Sequence, residues 1–318
     1  MIFMAKDARS HQAFVEAALA AGEAARSAIV ASWSRSWRLH GLEPARRHPG
    51  DRLTGTEFAQ LREALEPMLN TARPSLDRLF QAVGGLGACV ILADRNGVPM
   101  ERRGNSGEDA DFEAMGLWTG TLWSEAAAGT NGIGTCLAEG RAVTIHRDQH
   151  FLSANTALSC MSAPVHDAEG ALVAVLDVSS AKPDLSEGVA ALISHSVSDT
   201  ARRIESDLFR AAYPEARLMI VPGLDRGAGA LLAVDADELV IGATRAARAH
   251  FGLKGDLTSR PVPAADLLGI ASASTLEEGE RAVMARALAR AGGNVSAAAR
   301  DLGISRATFH RKLGARLS

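Results

Sequence analysis

Five polar side chains near the C-terminus have the types and spacing needed to bind a nucleic acid. They are Arg306, Thr308, His310, Arg311 and Lys312. Guanidinium and ammonium groups bind phosphate oxygens, and an arginine can also donate two hydrogen bonds to one guanine edge. From Glu280 onward the chain has eight Lys or Arg against two acids, a net charge of +6, so the rest carries −9 of the total of −3. This concentration of positive charge is typical of a phosphate-binding module attached to an acidic body.

The residues before and within this basic cluster are typical of two helices joined by a turn. Asn294 is placed to cap a first helix over 295–302, and Gly303 supplies a left-handed stop. Ser305 can then cap a second helix, which contains the basic residues. The pattern predicts a helix-turn-helix whose second helix is the recognition helix. A preceding helix at about 276–291 is expected to complete the small core through Leu276, Val283, Ala287 and Leu288.

The run from Gly293 through Leu313 is similar to the C-terminal DNA-binding domain of the Fis family, and the resemblance covers about 276–317. It implies that Ser305, Arg306 and Thr308 face base edges, with Arg306 best suited to read a guanine. Because Fis-like modules act as dimers, it also implies a homodimer on a palindromic operator in double-stranded DNA. The phosphate contacts that the resemblance implies are those of Asn294, Ser296, His310, Arg311 and Lys312.

The composition is that of a folded protein with several domains. The 318 residues are 47% hydrophobic and 22% charged, enough for two or three globular domains. The chain has no apolar run long enough to cross a membrane, and its first residues lack the apolar region of a signal peptide, so we expect a cytoplasmic protein without a membrane partner. Cys89, Cys136 and Cys160 lack CxxC spacing and are expected to be reduced, buried thiols.

Residues 88–180 alternate predicted strands with short helices. Strands are expected at 88–94, 143–145, 159–165 and 172–178, and turns at 94–97 and 167–170. One antiparallel sheet flanked by helices fits this order, which makes the fold class α+β. The most distinctive segment of the chain lies between the first two strands. It is 123–137, Trp-Ser-Glu-Ala-Ala-Ala-Gly-Thr-Asn-Gly-Ile-Gly-Thr-Cys-Leu.

Segment 123–137, together with Leu-Ser-Cys-Met-Ser-Ala-Pro at 158–164 and Val-Leu-Asp-Val-Ser-Ser at 175–180, closely resembles the GAF sensor domain of the AcoR branch of bacterial regulators. The resemblance covers about 75–209 and implies a pocket, between the sheet and its covering helices, that senses a small molecule. The candidates combine apolar walls with a few polar groups, which favours a small neutral or aromatic effector. These candidate residues are Trp118, Trp123, Ile133, Cys136, His146, Phe151, Leu158, Cys160 and Asp177.

Alternatives to an organic effector use the same residues. The glycines of segment 123–137 could form a phosphate cradle, but their spacing is neither GxGxxG nor that of a P-loop, and no lysine follows. His146 and His150 could hold a metal or haem together with Cys136 or Cys160, and either thiol could respond to oxidation. The alternative function is therefore a metal-, haem- or cysteine-based redox or gas sensor that controls DNA binding.

The regions around the predicted sensor are mostly helical. Helices are expected at 10–40, 56–69 and 75–84, with Pro74 between the last two, and 32–36 with 41–44 resembles the opening of the AcoR-type regulators. A long amphipathic helix at 186–209 either pairs with its copy in a dimer or packs on its own sheet. Strands at 217–221 and 230–234, then a hairpin leading into a helix, resemble the start of a PAS domain, and 254–274 is expected to be a linker. The predicted divisions are an N-terminal helical region (1–74), a GAF domain (75–209), a PAS-like region with linker (210–270) and an all-α helix-turn-helix (271–318).

An ATPase domain, which AcoR-type regulators place before the Fis-like module, has no counterpart in these 318 residues. No GxxxxGK[ST] segment occurs, and the interval between sensor and helix-turn-helix is too short for such a domain. No catalytic constellation exceeds chance, so we expect no enzyme activity and no cofactor. The sequence predicts a one-component regulator that either activates transcription, with RNA polymerase as a candidate partner, or represses it.

Overall fold

A five-stranded antiparallel sheet lies at the centre of the first of two units, Met1–Pro261, in the computed structural model of the chain. The structure describes residues 2–22, 24, 26–46, 51–222, 229–269 and 276–314. The strands are β1 (Ala88–Asp94), β2 (Pro99–Arg103), β3 (Val143–His146), β4 (Ser159–His166) and β5 (Leu172–Ser180). Their order in the sheet is β2-β1-β5-β4-β3. The four predicted strands are confirmed, whereas the edge strand β2 was not predicted.

Different layers cover the two faces of this sheet. The helices on the first face are α3 (Gly55–Val83) and α7 (Glu187–Ala212), and those on the second are α4 (Asp109–Ala114), α5 (Glu125–Ala128) and α6 (Gly132–Glu139). Val90 and Val178 pack into the first layer, whereas Ile91 and Cys160 pack into the second. Successive residues of a strand point to opposite faces, so a strand covered on both sides reads as a nearly continuous apolar run.

Helix α3 is one helix of 29 residues, where the sequence predicted two helices separated by a proline. Both Pro67 and Pro74 lie inside it. A proline inside a helix removes one backbone hydrogen bond, but burial of an apolar stripe can outweigh that cost. Here Leu69 and Leu76 are buried against the sheet, which explains why the helix continues.

Helix α7 begins after its N-cap Ser186, close to the predicted start. Ile193, Val197 and Ile204 lie in the core that α7 shares with its own sheet. The interpretation that α7 packs on its own sheet is therefore confirmed for these three residues. Leu192, by contrast, is 69% exposed.

The predicted helix over 10–40 is broken into α1 (Ile2–Ala20) and α2 (Ala28–Ser34), which continues as a π-helical turn, Arg35–Leu39. Gly22 adopts a left-handed φ of +71°, which ends a helix, and Ser27 caps the next one through its hydroxyl. Helical periodicity alone did not reveal this interruption.

A second, smaller antiparallel arrangement follows α7. It comprises β6 (Arg217–Ile220), β7 (Leu231–Val234), β8 (Leu239–Ala243) and α8 (Arg245–Phe251). The turn between β7 and β8 is held by Asp235, whose Oδ1 accepts from the backbone N–H groups of Asp237 and Leu239. The predicted hairpin leading into a helix is confirmed.

The second unit, Val262–Ser318, contains the helix-turn-helix. Its elements are β9 (Val262–Pro263), α9 (Ala264–Leu268), α10 (Leu276–Arg290), α11 (Val295–Asp301) and α12 (Arg306–Gly314). The first two lie in the segment predicted as a linker, of which 270–274 is outside the described residues. None of the helices in the described ranges is both long and apolar enough to span a bilayer.

The core of the helix-turn-helix differs from the predicted one on α10. Leu276 and Val283 were expected to be buried but are 85% and 41% exposed. Met284 is buried in their place, whereas Ala287 is buried as predicted. The helix is rich in alanine and charge, so its apolar periodicity was too weak to fix which side faces inward.

Candidate functional site

The recognition helix α12 is oriented by one aromatic side chain. Phe309 is fully buried and packs with Ala298 and Ala299 of α11, whose small side chains let the helices approach closely. Arg306 and His310 are exposed and lie four residues apart, so they share a face of the helix. Arg311, next to His310, is exposed as well. The basic residues of α12 therefore form an accessible polar surface.

Some of the predicted DNA-binding side chains take part in capping the helices. Asn294 Oδ1 accepts from the backbone N–H groups of Ser296 at 3.0 Å and Ala297 at 3.1 Å. Ser305 Oγ accepts from the Thr308 backbone N–H at 3.0 Å and lies 2.8 Å from Thr308 Oγ1. The predicted caps are confirmed, and these oxygens stabilise the helix ends.

Lys312 lies on the same helix but already has an acidic partner. Its Nζ is 2.6 Å from both carboxylate oxygens of Glu280 on α10. A phosphate contact by Lys312 would require exchange of this carboxylate for a phosphate. Among the cationic side chains predicted to bind DNA, Arg306 and Arg311 are therefore better placed.

The predicted pocket residues lie in several places. Asp177 is fully buried on the second face of the sheet, Phe151 packs against the N-terminal helices, and Trp118 is half-buried near the edge strand. His146 is partly buried, with its Nδ1 at 2.8 Å from Ser159 Oγ. The candidates that the structure brings together in the layer between the sheet and α6 are Trp123, Ile133, Cys136, Leu158 and Cys160.

Asp177 is the centre of a small polar network within this layer. Ser162 Oγ donates to its Oδ1 at 2.5 Å, and Ser179 Oγ donates to its Oδ2 at 2.6 Å. Burial raises the pKa of Asp177 to about 6, although the two hydroxyl hydrogen bonds act in the opposite direction. The carboxyl is thus satisfied by its own sheet.

The thiols of the chain are buried and protonated. Burial raises the pKa of Cys89 to about 12 and raises those of Cys136 and Cys160 well above the ordinary value of a thiol. His150 Nε2 lies 3.4 Å from Cys160 Sγ, but burial lowers the pKa of His150 to about 4, so this histidine is neutral at pH 7. Because the thiolate is the reactive form, this environment does not favour the cysteine-based redox alternative. Within the described ranges, no three His, Cys, Asp or Glu side chains form a group that could hold a metal ion.

The glycines of segment 123–137 allow close packing. A Cβ at Gly132 would lie 2.4 Å from Ser162 Oγ and 2.8 Å from Asp177 Oδ1. A Cβ at Gly134 would lie 2.5 Å from the backbone N of Glu125. Gly132 brings the start of α6 onto the sheet and Gly134 brings it against the start of α5, which explains these glycines without a phosphate ligand.

The N-terminal region is bound to the same segment through Glu125, whose side chain is 5% exposed. Arg35 donates to its carboxylate at 2.8 and 2.9 Å, and Ser32 Oγ donates at 2.5 Å. Trp33 adds a hydrogen bond from Nε1 to the Gln149 carbonyl at 2.8 Å. The two stretches that resemble AcoR-type regulators, 32–36 and 123–137, therefore lie against each other.

Two features of the first unit were missed from the sequence. Arg102 on β2 is buried beside Trp118, with its Cζ 4.4 Å from the ring centre. His166 on β4 lies between Glu205 of α7, at 2.6 Å from Nδ1, and Arg245 of α8, at 3.0 Å from Nε2. These partners are far apart along the chain, and no local sequence signal connects them.

Comparisons with known proteins agree with both parts of the chain. The family described as MimR, N-terminal domain, matches residues 4–196, and that described as bacterial regulatory protein, Fis family, matches 275–315. The acetoin catabolism regulatory protein of Cupriavidus necator is 33% identical over 249 residues, which are 77% of this chain and 37% of that protein. The acetoin dehydrogenase operon transcriptional activator AcoR of Bacillus subtilis is 30% identical over 154 residues, 48% of this chain and 25% of that protein.

The propane 2-monooxygenase operon transcriptional activator MimR of Mycolicibacterium smegmatis is 28% identical over 163 residues, 50% of this chain and 26% of that protein. The chain thus covers only 25% to 37% of the length of these three relatives. The E. coli DhaR(N)-DhaL crystal structure contains a chain that matches with a TM-score of 0.54 and 16% identity, over 73% of this chain and 81% of that one. This likeness agrees with a GAF/PAS-like fold. The chain belongs to the MimR N-terminal domain family of regulators and combines that domain with a Fis-family helix-turn-helix, without a central ATPase domain in its 318 residues.

Proposed function

We propose that the chain is a DNA-binding transcriptional regulator that binds a palindromic operator as a homodimer and responds to a small molecule bound in its first unit. The main observation that supports DNA binding is the exposure of Arg306, His310 and Arg311 on α12, a helix held in place by the buried Phe309. The relatives named as operon activators support the role in transcription. Because its target is the chromosome, we place the protein in the cytoplasm.

Base reading is assigned to the N-terminal part of α12. Arg306 is the first residue of that helix and is exposed, which suits insertion of its guanidinium into the major groove. Ser305 and Thr308 lie beside it, and their mutual hydrogen bond fixes their position. Ser296, His310 and Arg311 are exposed for phosphate contacts, and the amide of Asn294 lies at the start of α11.

The route from sensor to output runs through α7. This helix packs on the first face of the sheet through Ile193 and Val197. Its Glu205 binds His166 of the sheet, and His166 in turn contacts Arg245 of α8. A shift of the sheet on ligand binding would therefore reach both α7 and α8. For allosteric control, the ligand must bind the two states with different affinities, and a coupling of about 1 to 3 kcal/mol is usual.

Selection of duplexes from a random DNA library by the full-length protein tests the DNA-binding proposal. We expect an enriched site with two-fold symmetry, and light scattering should give a complex of two chains per duplex. An enriched site without symmetry, bound by one chain, would contradict the dimer. Failure to enrich any sequence would contradict operator recognition itself.

Glu205→Gln tests the proposed route, with His195→Gln as the control on an exposed face of α7. Operator affinity without effector should be the same in both variants. The change in operator affinity caused by the effector should be lost only in Glu205→Gln. If the effector response persists in that variant, the proposed route is wrong.

A further inference from the structure

The guanidinium of Arg102 is buried with two of its nitrogen donors unused. Arg102 lies on the edge strand β2, and only 8% of its side chain is exposed. Its Nη1 donates to Asp109 Oδ1 at 2.6 Å. Its Nε and Nη2 have no oxygen or nitrogen acceptor among the residues that the structure describes, and the neighbouring acceptor is the sulfur of Cys89. Charged donors removed from water without an acceptor cost free energy, so this arrangement calls for an additional acceptor.

The two unused nitrogens are the pair suited to one carboxylate. In a guanidinium, the Nε–H bond and one N–H bond of Nη2 lie on the same edge and run nearly parallel, matching the two oxygens of a carboxylate. Asp109 binds the remaining nitrogen and leaves Nε and Nη2 without a carboxylate partner. A single ammonium group has no equivalent pair of donors in fixed geometry.

Neighbouring groups hold the guanidinium in place. Its Cζ lies 4.4 Å from the ring centre of Trp118 and 5.4 Å from that of Phe112. A Cβ at Gly104 would lie 2.5 Å from Nη2 and 2.7 Å from Nη1, so the backbone passes close to the guanidinium at this glycine. A donor pair held in this way loses little conformational freedom on binding.

Arg102 also lines an open cleft of about 430 Å³. This volume lies within the range of small-molecule sites, about 300 to 1,000 Å³. Arg62 and Arg103 line the cleft with Arg102, whereas its acidic lining residues are Glu101 and Asp109. The lining thus has an excess of positive charge, which favours an anion.

The thiol of Cys89 lies near Arg102 but does not act as its anionic partner. Burial raises the pKa of Cys89 to about 12, although the nearby guanidinium acts in the opposite direction. The thiol is therefore neutral at pH 7, and a neutral thiol sulfur is only a weak acceptor. A stronger acceptor is needed to satisfy the free edge of the guanidinium.

We propose that Arg102 binds the carboxylate of a small organic acid through Nε and Nη2, with Trp118 beside the bound molecule. This inference rests on the proposed small-molecule sensing and deepens it by naming the chemical class of the effector. It replaces the neutral or aromatic effector that the predicted pocket residues favoured. Arg102 and Trp118 are then the ligand-binding residues at the β2 edge.

Titration of the full-length protein with acetate and with acetamide, its neutral analogue, tests this site. Ionic strength is kept constant with chloride, and tryptophan fluorescence follows binding in every variant. In the wild type, acetate should also shift the Arg102 Nε–H resonance in ¹⁵N-labelled protein. Acetamide should cause no such shift, because it lacks the second anionic oxygen.

Arg102→Lys keeps the charge but removes the donor pair, and we expect it to weaken acetate binding by about tenfold or more. Arg210→Gln is the control, because Arg210 is an ion-paired arginine of α7 that binds Asp207 and does not line this cleft. It should leave acetate affinity unchanged. Circular dichroism establishes that each variant is folded before it is titrated.

Three results would overturn the inference: no acetate response in the folded wild type, equal responses to acetate and acetamide, or unchanged acetate affinity in Arg102→Lys. The test also separates this inference from the proposed function. A neutral molecule that alters operator binding equally in wild type and Arg102→Lys would overturn the carboxylate site and leave sensing intact. Acetate that binds at Arg102 without altering operator affinity would support the site and contradict its role in regulation.

Discussion

The helix-turn-helix and segment 123–137 have the two most distinctive sequences in the chain, yet their polar side chains are used in opposite ways. In the recognition helix, Arg306 faces solvent while Phe309 fixes the helix from inside. In segment 123–137, Glu125 is buried and binds Arg35, and Asn131 is buried and binds backbone groups of the segment itself. A distinctive sequence therefore marks a demanding local structure, whether or not that structure contacts a ligand.

If the residues of segment 123–137 serve to pack α6 on the sheet, substitution of Gly132 should reduce stability more than any other change proposed here. In Gly132→Ala the new Cβ would lie 2.4 Å from Ser162 Oγ and 2.6 Å from Cys160 Cβ, so α6 must move away from the sheet. We expect the free energy of unfolding to fall by about 3 kcal/mol, measured by urea denaturation. Gly188→Ala is the matched control, since no atom lies within 4 Å of a Cβ there. Equal stability of the two variants would contradict the packing role.

Replacement of the Asp177 carboxyl by an amide should have the next largest effect on stability, and the size of this effect should depend on pH. Burial raises its pKa from 3.8 to about 6, so the folded protein holds the proton more tightly than the unfolded chain. The resulting stabilisation is complete below about pH 4 and is lost as the pH rises through about 6. Relative to wild type, Asp177→Asn should therefore gain roughly 3 kcal/mol between these pH values and no more above them.

Urea denaturation of wild type and Asp177→Asn at a series of pH values measures this gain. A stability difference that does not vary with pH would show that the pKa of the buried carboxyl is not raised. Both proteins should bind DNA equally at pH 7, because the carboxyl lies in the first unit and not on the recognition helix.

In the recognition helix, whose basic side chains face solvent, Arg306→Ala should weaken operator binding by about 1 to 3 kcal/mol. It should also relax specificity at one base of each half-site. Its folding stability should be unchanged. Lys312→Ala is the control on the same helix. Since Lys312 already binds Glu280, its loss should have a smaller effect, spread evenly over DNA sequences. Binding-site selection with each variant checks this, and unchanged base preference in Arg306→Ala would refute the assignment of base reading.

The smallest expected effect concerns the contact between the N-terminal region and segment 123–137. Glu125→Gln removes the charge that Arg35 binds, and we expect a loss of about 1 to 2 kcal/mol in unfolding free energy, because Arg35 is partly exposed to water. Glu139→Gln is the control, since Glu139 also binds Arg35 but is more exposed. Urea denaturation should rank the Glu125 variant as the less stable. The reverse order would contradict the role given to Glu125.

The helix-turn-helix could be predicted almost in full because its signals are local. Asn294, Gly303 and Ser305 determine where the helices begin and end, and each acts within a few residues of its own position. Only the inward side of the first helix was wrong, where Met284 replaces Val283 in the core. The strands with continuous apolar runs could be predicted from the sequence as well.

The sensor interior could not be predicted to the same depth, because its key contacts join distant residues. Strand β2 reads Pro-Met-Glu-Arg-Arg, without the alternation that predicts a strand. Only its register with β1 places Arg102 opposite Ile91, on the second face of the sheet. The pairing of Arg35 with Glu125 was hidden for the same reason. The sequence contained both partners but not their proximity.

That pairing has a consequence for how such proteins can be recombined. A chimaera that takes the sensor from α3 onward would inherit a buried Glu125 without the arginine and the hydroxyl that neutralise and solvate it. The exchangeable module must therefore include α2 and its capping residue Ser27. New output domains can be joined to the C-terminal end of the sensor. A domain fused to its N-terminal end has to be joined before Ser27 and α2.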